Sequence, residues 1–203
     1  MINGYDLLKI RAVRALILWW GFPYLFQILL LIIFTLLAII SWGHFTPEGV
    51  DGKLYAKTNL VTLLIWGIWW PAMVWLAVLL GRAWCMVCPL ELVSNISERI
   101  GRRLGLPQAN LGSWIVAGYI ILIFYVVIQF LVAGAQIHRV PHYTSWFLIG
   151  LFGITILTGL FLKDRAFCRG FCPVGLLLGT YGRGSMLVVR SGIQAICQLC
   201  NDK

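Results

Sequence analysis

The chain has 203 residues, of which 61% are hydrophobic and 11% are charged. A soluble domain averages roughly 45–50% apolar and about 25% charged residues. This composition excludes an ordinary soluble domain, a disordered chain, a coiled coil and a collagen, and it predicts an all-α membrane protein. The net charge of +9 is explained first by orientation in a bilayer, so we expect the lipid bilayer and no nucleic acid as a partner.

Four segments are long and apolar enough to cross a hydrocarbon layer of about 30 Å as helices. They are residues 14–42, 59–80, 113–135 and 145–162. The first has no clean cleavage site after it, which predicts a retained helix rather than a signal peptide. A fifth stretch, 174–189, is short and rich in glycine, so we expect a surface or re-entrant helix there.

Lysine and arginine are distributed unevenly between the two sides of this four-helix arrangement. One side carries thirteen and the other three. The larger group comprises Lys9, Arg11, Arg14, Arg82, Arg99, Arg102, Arg103, Lys163, Arg165, Arg169, Arg183, Arg190 and Lys203, and the smaller group Lys53, Lys57 and Arg139. Because cytoplasmic loops carry the excess of basic residues, we expect a multi-pass protein of a bacterial-type inner membrane. Both termini and all six cysteines would then face the cytoplasm.

The sequence contains an internal repeat, and each copy ends in a cysteine motif. The first pair of helices leads to RAWCMVCP at 82–89, and the second pair leads to RAFCRGFCP at 165–173. Both hairpins begin on the same side, so we expect parallel repeats related by an axis along the membrane normal. The predicted divisions are a first repeat over 1–112, a second over 113–190 and a further segment over 191–203. This symmetry would bring both cysteine pairs to one membrane face.

The two repeated motifs predict a metal site on Cys85, Cys88, Cys168 and Cys172. Two thiolates a few residues apart can face one metal centre, and a following proline stiffens the turn. A nearby arginine favours the thiolate form. Four thiolates suit either a cubane iron-sulfur cluster or a tetrahedral zinc ion. Two alternatives stay open at this point: cysteines that merely pack as small apolar residues, and reversible disulfides within each pair.

These motifs resemble those of the membrane polyferredoxin family, which includes NapH, the transmembrane part of NosR, and CcoG. The resemblance rests on the two cysteine-proline motifs, on a glycine-rich stretch at 175–190, and on Cys197 and Cys200, which resemble the start of a ferredoxin motif. It covers most of the chain. The first motif is one residue shorter than the family's Cys-x3-Cys-Pro pattern, so we expect the two repeats to present their thiols differently. The final motif stops after two cysteines, which favours a native chain that continues beyond Lys203.

The resemblance implies a membrane-embedded [4Fe-4S] subunit of a redox complex that passes electrons between quinone and a partner. It implies that Cys197 and Cys200 begin a second site. We also expect a quinone pocket between the repeats, with Arg82 and Arg165 beside the quinone head or the cluster. Two other functions remain open from the residues alone. They are capture of soft metal ions such as Cu(I), which thiolate pairs and Met86 would suit, and a structural anchor for a redox complex.

Overall fold

The computed structural model describes residues 9–186, excluding the side chains of Arg82, Val116 and Arg183. Its main elements are helices that follow one another along the chain. They are α1 (Arg11–Leu18), α2 (Tyr24–Ser41), α3 (Gly52–Thr58), α4 (Leu60–Leu80), α5 (Pro89–Arg103), α6 (Tyr119–Ala133), α7 (Pro141–Phe161) and α8 (Pro173–Tyr181). Short helical turns over Trp84–Val87, Ser113–Val116 and Phe167–Phe171 lie between them. The described part of the chain is all-α, as predicted.

Three of these helices are long and apolar enough to cross a membrane, namely α2, α4 and α7. Helix α6 is equally apolar but has only 15 residues, whereas a perpendicular crossing takes about 20. The outward faces of the long helices expose large apolar side chains, including Leu29, Ile32 and Leu36 on α2. Lipid would cover such a surface without cost. The described fold therefore has the character of a membrane protein, with three spans of full length rather than the four expected.

The first predicted span is divided. Helix α1 ends at Leu18, and α2 begins only at Tyr24, directly after Pro23. A proline lacks the N–H that would continue the hydrogen-bond ladder, and its ring clashes with the preceding turn. The apolar run from 14 to 42 thus folds as a short helix followed by an 18-residue span.

The third predicted span is divided as well. The turn Ser113–Val116 is followed by Gly118, whose φ of +92° lies in the left-handed region, and α6 starts at the next residue. Glycine adopts this conformation readily because it has no Cβ. This break was not predicted, because the sequence from 113 to 135 reads as one continuous apolar run.

Helix α4 matches the second predicted span almost residue for residue. Asn59 precedes it and accepts hydrogen bonds from the backbone N–H groups of Val61 and Thr62, which stabilises the free donors of the first turn. The segment Leu63–Trp69 is π-helical, with a wider turn that lies just before Pro71. Because Pro71 cannot donate to the ladder, a wider turn at this place accommodates it within a continuous span.

A buried apolar cluster joins the three long helices. Phe34 and Ala38 on α2 pack with Val61 and Ile65 on α4 and with Leu148 on α7. Polar bonds between helices add to it: the Ser145 hydroxyl donates to the Ala38 carbonyl at 2.6 Å. Such bonds contribute about 0.6 kcal/mol each in membrane proteins, so close packing is the larger source of stability.

Helix α5 was not predicted as an element, and it packs closely along α7. Small residues face each other where the two helices meet: Ser94, Ser97 and Gly101 on α5 are buried, and so is Gly159 on α7. A Cβ at Gly159 would lie 2.8 Å from the Ser94 carbonyl oxygen. Two signals in the sequence were available, namely the proline at its first position and the basic pair Arg102 and Arg103 in its last turn, which is typical of a helix end.

Candidate metal centre

Each repeated motif forms a turn that ends at the start of a helix. We call Cys85–Cys88 the first cysteine turn and Cys168–Cys172 the second. Cys88 directly precedes α5, and Cys172 directly precedes α8. The prolines after them occupy the first helical position, where a missing N–H costs nothing. The two repeats therefore place their last cysteine in the same way.

Backbone amides at the two helix starts point toward the thiols. The N–H of Gly175 donates to the Cys172 sulfur at 3.4 Å, and the amides of Leu90 and Glu91 lower the pKa of Cys88 by hydrogen bonding. The positive end of a helix dipole adds to this effect. Both helix starts are thus built to stabilise thiolates.

The four predicted thiols interact electrostatically. In every pair among Cys85, Cys88, Cys168 and Cys172, the charge of one cysteine raises the pKa of the other. Since an electrostatic interaction between charges weakens with distance and with solvent, the two turns must lie close together. That the repeat gathers both cysteine pairs into one metal site remains a prediction.

Burial dominates the acid-base behaviour of these thiols. It raises the pKa of Cys88 to about 12 and that of Cys172 to about 11, and it raises the pKa of Cys168 in the same direction. Without a metal, the thiols of Cys88, Cys168 and Cys172 stay neutral at physiological pH. A metal centre would replace their protons, so its binding releases protons and weakens as the pH falls.

The spacing that the ligands need differs between kinds of metal centre. Within residues 9–186, no three His, Cys, Asp or Glu side chains are grouped to hold a single metal ion. A tetrahedral zinc ion with Zn–S bonds of about 2.3 Å needs its sulfurs about 3.8 Å apart. A cubane cluster spaces its ligands more widely, because each thiolate binds a different iron.

An ion pair ties the two repeats together beside the cysteines. Arg165, which precedes the second turn, places its Nη1 2.8 Å from Glu91 Oε1 on α5, and its backbone N–H faces Glu98 Oε2 at 3.5 Å. Arg165 and Asp164 both have a left-handed backbone, with φ of 54° and 62°, which is costly for residues other than glycine. Contacts with α5 hold this strained loop in place. The charge of Glu91 also raises the pKa of Cys168, so the pair lies next to the site.

We predict that loss of the ion pair costs more stability when Glu91 is left without its partner than when Arg165 is. Burial raises the pKa of Glu91, while the Arg165 charge lowers it. The Arg165 side chain is 61% exposed and that of Glu91 only 12%, so solvent screens the attraction to about 1 kcal/mol or less. Arg165→Gln should therefore lower the unfolding free energy by about 1 kcal/mol, because it leaves the mostly buried Glu91 carboxylate without its counter-charge.

The double variant Glu91→Gln/Arg165→Gln tests this interpretation. It should recover most of the lost stability, because the remaining amides are neutral. The measurement is a double-mutant cycle of denaturant unfolding in detergent. Additive effects of the two substitutions would show that the pair contributes nothing.

The other predicted site residues are placed only in part. Arg82 lies in the turn Gly81–Ala83, and its side chain is outside the described structure. Cys197 and Cys200 fall outside the described residues. All three remain predictions about the site.

Gln27 is a residue of the site's surroundings that the sequence analysis missed. It lies in the first turn of α2, is only 3% exposed, and donates from Nε2 to the Met86 carbonyl in the first cysteine turn at 2.9 Å. The signal was a polar residue on the buried face of an apolar helix, seven residues before the buried Phe34. Ionisable or polar groups at such positions are typically functional.

Two further features lie away from the thiols. His142 accepts a hydrogen bond from the Gly43 N–H at 3.1 Å, which places it at the end of α2 opposite to Gln27. A cavity of about 330 Å³ lies between α6 and α7, with Ile128, Tyr143 and Phe147 in its lining. It lies within the second repeat, whereas the quinone pocket is predicted between the repeats.

Comparisons with known proteins agree with this site. The sequence profile of a family described as a 4Fe-4S binding domain matches residues 62–107 and 144–193, and each match contains one cysteine turn. The ferredoxin-type protein MauN of Methylorubrum extorquens, named for methylamine utilization, is 26% identical over 132 residues, which are 59% of this chain and 45% of MauN. The ferredoxin-type protein NapH of Haemophilus influenzae is 26% identical over 139 residues, covering 62% of this chain and 47% of NapH.

An uncharacterized protein of Methanocaldococcus jannaschii is 26% identical over 174 residues, covering 78% of this chain and 68% of that protein. The chain spans about half the length of MauN and NapH. No solved structure matches it. From the paired cysteine turns and these matches, we conclude that the chain belongs to the membrane polyferredoxin family with a 4Fe-4S binding domain.

Proposed function

We propose that the chain is a membrane-embedded electron-transfer subunit that holds a [4Fe-4S] cluster on Cys85, Cys88, Cys168 and Cys172. The observation that carries this proposal is the convergence of four mostly buried thiols from two repeated turns. When bound, such a cluster supplies a one-electron carrier whose potential depends on charge, hydrogen bonds and exposure.

The chain's own residues would balance the negative charge of the four thiolates. The starts of α5 and α8 direct backbone amides at Cys88 and Cys172, which offsets the negative charge of four thiolates. Apolar packing of Met73, Ala77 and Leu178 against Cys85 and Trp84 keeps water from one side. Low exposure and amide dipoles of this kind tune the potential at which an electron is accepted.

The proposed electron path connects quinone in the membrane with a redox partner at the cytoplasmic face. Arg82 and Arg165 would lie near its membrane end, and Cys197 with Cys200 would begin a second centre toward the partner. The basic residues of the cysteine side support a cytoplasmic orientation. The names of MauN and NapH, both ferredoxin-type proteins, support electron transfer within a complex. The proposed divisions at 112 and 190 give each repeat one cysteine turn.

Metal analysis of the anaerobically purified protein tests the proposal. We expect iron and acid-labile sulfide in equal amounts, about four of each per cluster, and an EPR signal of a cubane cluster after reduction. Undamaged protein without iron and sulfide would overturn the proposal. Copper in place of iron would support the soft-metal alternative instead.

A further inference from the structure

We propose that Gln27 is a positioning residue that fixes the first cysteine turn from the neighbouring membrane helix. The inference rests on the proposed function, since it assigns a role toward the proposed cluster. Gln27 does not act as a ligand. It acts through the carbonyl of Met86, which lies between Cys85 and Cys88 in the chain.

The contact joins distant parts of the sequence. Gln27 Nε2 donates to the Met86 carbonyl at 2.9 Å across 59 residues of chain, and its side chain is 3% exposed. A buried amide is costly unless it is hydrogen-bonded. The bond therefore fixes both the side chain and the turn that it reaches.

The orientation of the amide is set by this carbonyl. Turning the amide over would place Oε1 against the Met86 oxygen, and two acceptors repel. The Gln27 Oε1 atom is buried and has no hydrogen-bond partner among the described residues. The one polar bond recorded for this side chain thus goes to the first cysteine turn.

The two cysteine turns are held by different means. Gly170 in the second turn packs so closely that an added Cβ would lie 2.6 Å from Ile115. The first turn is one residue shorter and receives a hydrogen bond from α2. Gln27 thus supports a turn whose sequence departs from its repeat partner. Its bond orients the Met86 carbonyl dipole beside the proposed cluster, and such dipoles influence cluster potential.

The test compares Gln27→Leu with the matched control Gln129→Leu. Gln129 lies on α6 and bonds the Tyr125 hydroxyl at an exposed position, so the control removes the same chemistry from an apolar helix. The first readout is the alkylation rate of each cysteine in the metal-free protein, followed by peptide mass spectrometry. The second readout, on the loaded protein, is iron release to a chelator and the EPR spectrum.

We expect Gln27→Leu to increase alkylation of Cys85 and Cys88 about tenfold while Cys168 and Cys172 change less than about twofold. A factor of ten corresponds to about 1.4 kcal/mol, which is the size of one hydrogen bond. Iron release should accelerate by a similar factor with a shifted EPR signal. Gln27→Glu should retain most of the wild-type behaviour, because a buried carboxyl stays protonated and can donate to the carbonyl.

Equal alkylation rates in wild type and Gln27→Leu would overturn the inference. An equal increase at all four cysteines would overturn it too, since that would indicate general loosening. If the wild-type protein holds no iron and sulfide, the proposed function fails, but the alkylation rates still decide whether Gln27 positions the first turn.

Discussion

Cys168→Ser is expected to reduce bound iron more than about tenfold while the protein still inserts and folds. Serine is nearly the size of cysteine, so packing around this mostly buried position is kept, but an alcohol is a much poorer ligand for iron than a thiolate. Loss of partners in the outer shell alone typically costs 10–100-fold in metal affinity, and a ligand should cost at least as much. Iron analysis and EPR after anaerobic purification measure the effect, and circular dichroism verifies the helices.

Met86→Leu is the matched control, because it changes a sulfur-containing residue in the first cysteine turn without removing a thiol. Met86 is 40% exposed, so leucine fits without strain. Iron content should stay within about twofold of wild type. A Cu(I) site that used the Met86 thioether would instead lose copper in this variant. Unchanged iron in Cys168→Ser would contradict the proposed ligand set.

Gly159→Ala is expected to destabilise the protein and to lower its iron content together. The new Cβ would lie 2.8 Å from both the Ser94 carbonyl oxygen and the Ser97 Cβ, so α5 must move away from α7. Overpacking of this kind costs typically 1–3 kcal/mol. Because α5 begins directly after Cys88, its displacement moves a ligand as well. Thermal unfolding of the reconstituted protein and its iron content measure the two effects.

Gly150→Ala provides the control on the same helix. An added Cβ there meets no atom within 4 Å, and alanine is favoured over glycine in a helix by roughly 0.5–1 kcal/mol. This variant should be as stable as wild type or more stable, with unchanged iron. Equal destabilisation by the two substitutions would mean that close packing of α5 on α7 is not what holds Cys88 in place.

Sequence patterns predicted the all-α class of fold correctly, and they nominated four thiols as a candidate site, because both inferences depend on local chemistry. An apolar run of about 20 residues must be covered by lipid or protein in any fold. The bounds predicted for α4 therefore agree closely with the observed ones. The repeated cysteine-proline motif likewise identifies a set of candidate metal ligands without knowledge of the fold. The breaks before Tyr24 and at Gly118 were missed because hydropathy averages over residues and ignores the backbone requirements of single prolines and glycines.

Hydropathy and motif patterns were enough to show that the chain is helical, that it suits a membrane, and that it bears two related cysteine motifs. The residues around these motifs could be identified only once the helices were packed together. Arg165 was predicted to lie beside a cofactor, and the fold shows that its guanidinium forms an ion pair with Glu91 of the other repeat. In the sequence, Gln27 is a single polar residue in an apolar helix. In the fold, it contacts Met86, which lies 59 residues further along the chain. Contacts between such distant residues depend on how whole helices pack, and packing is set by the shapes of all faces together rather than by any local pattern.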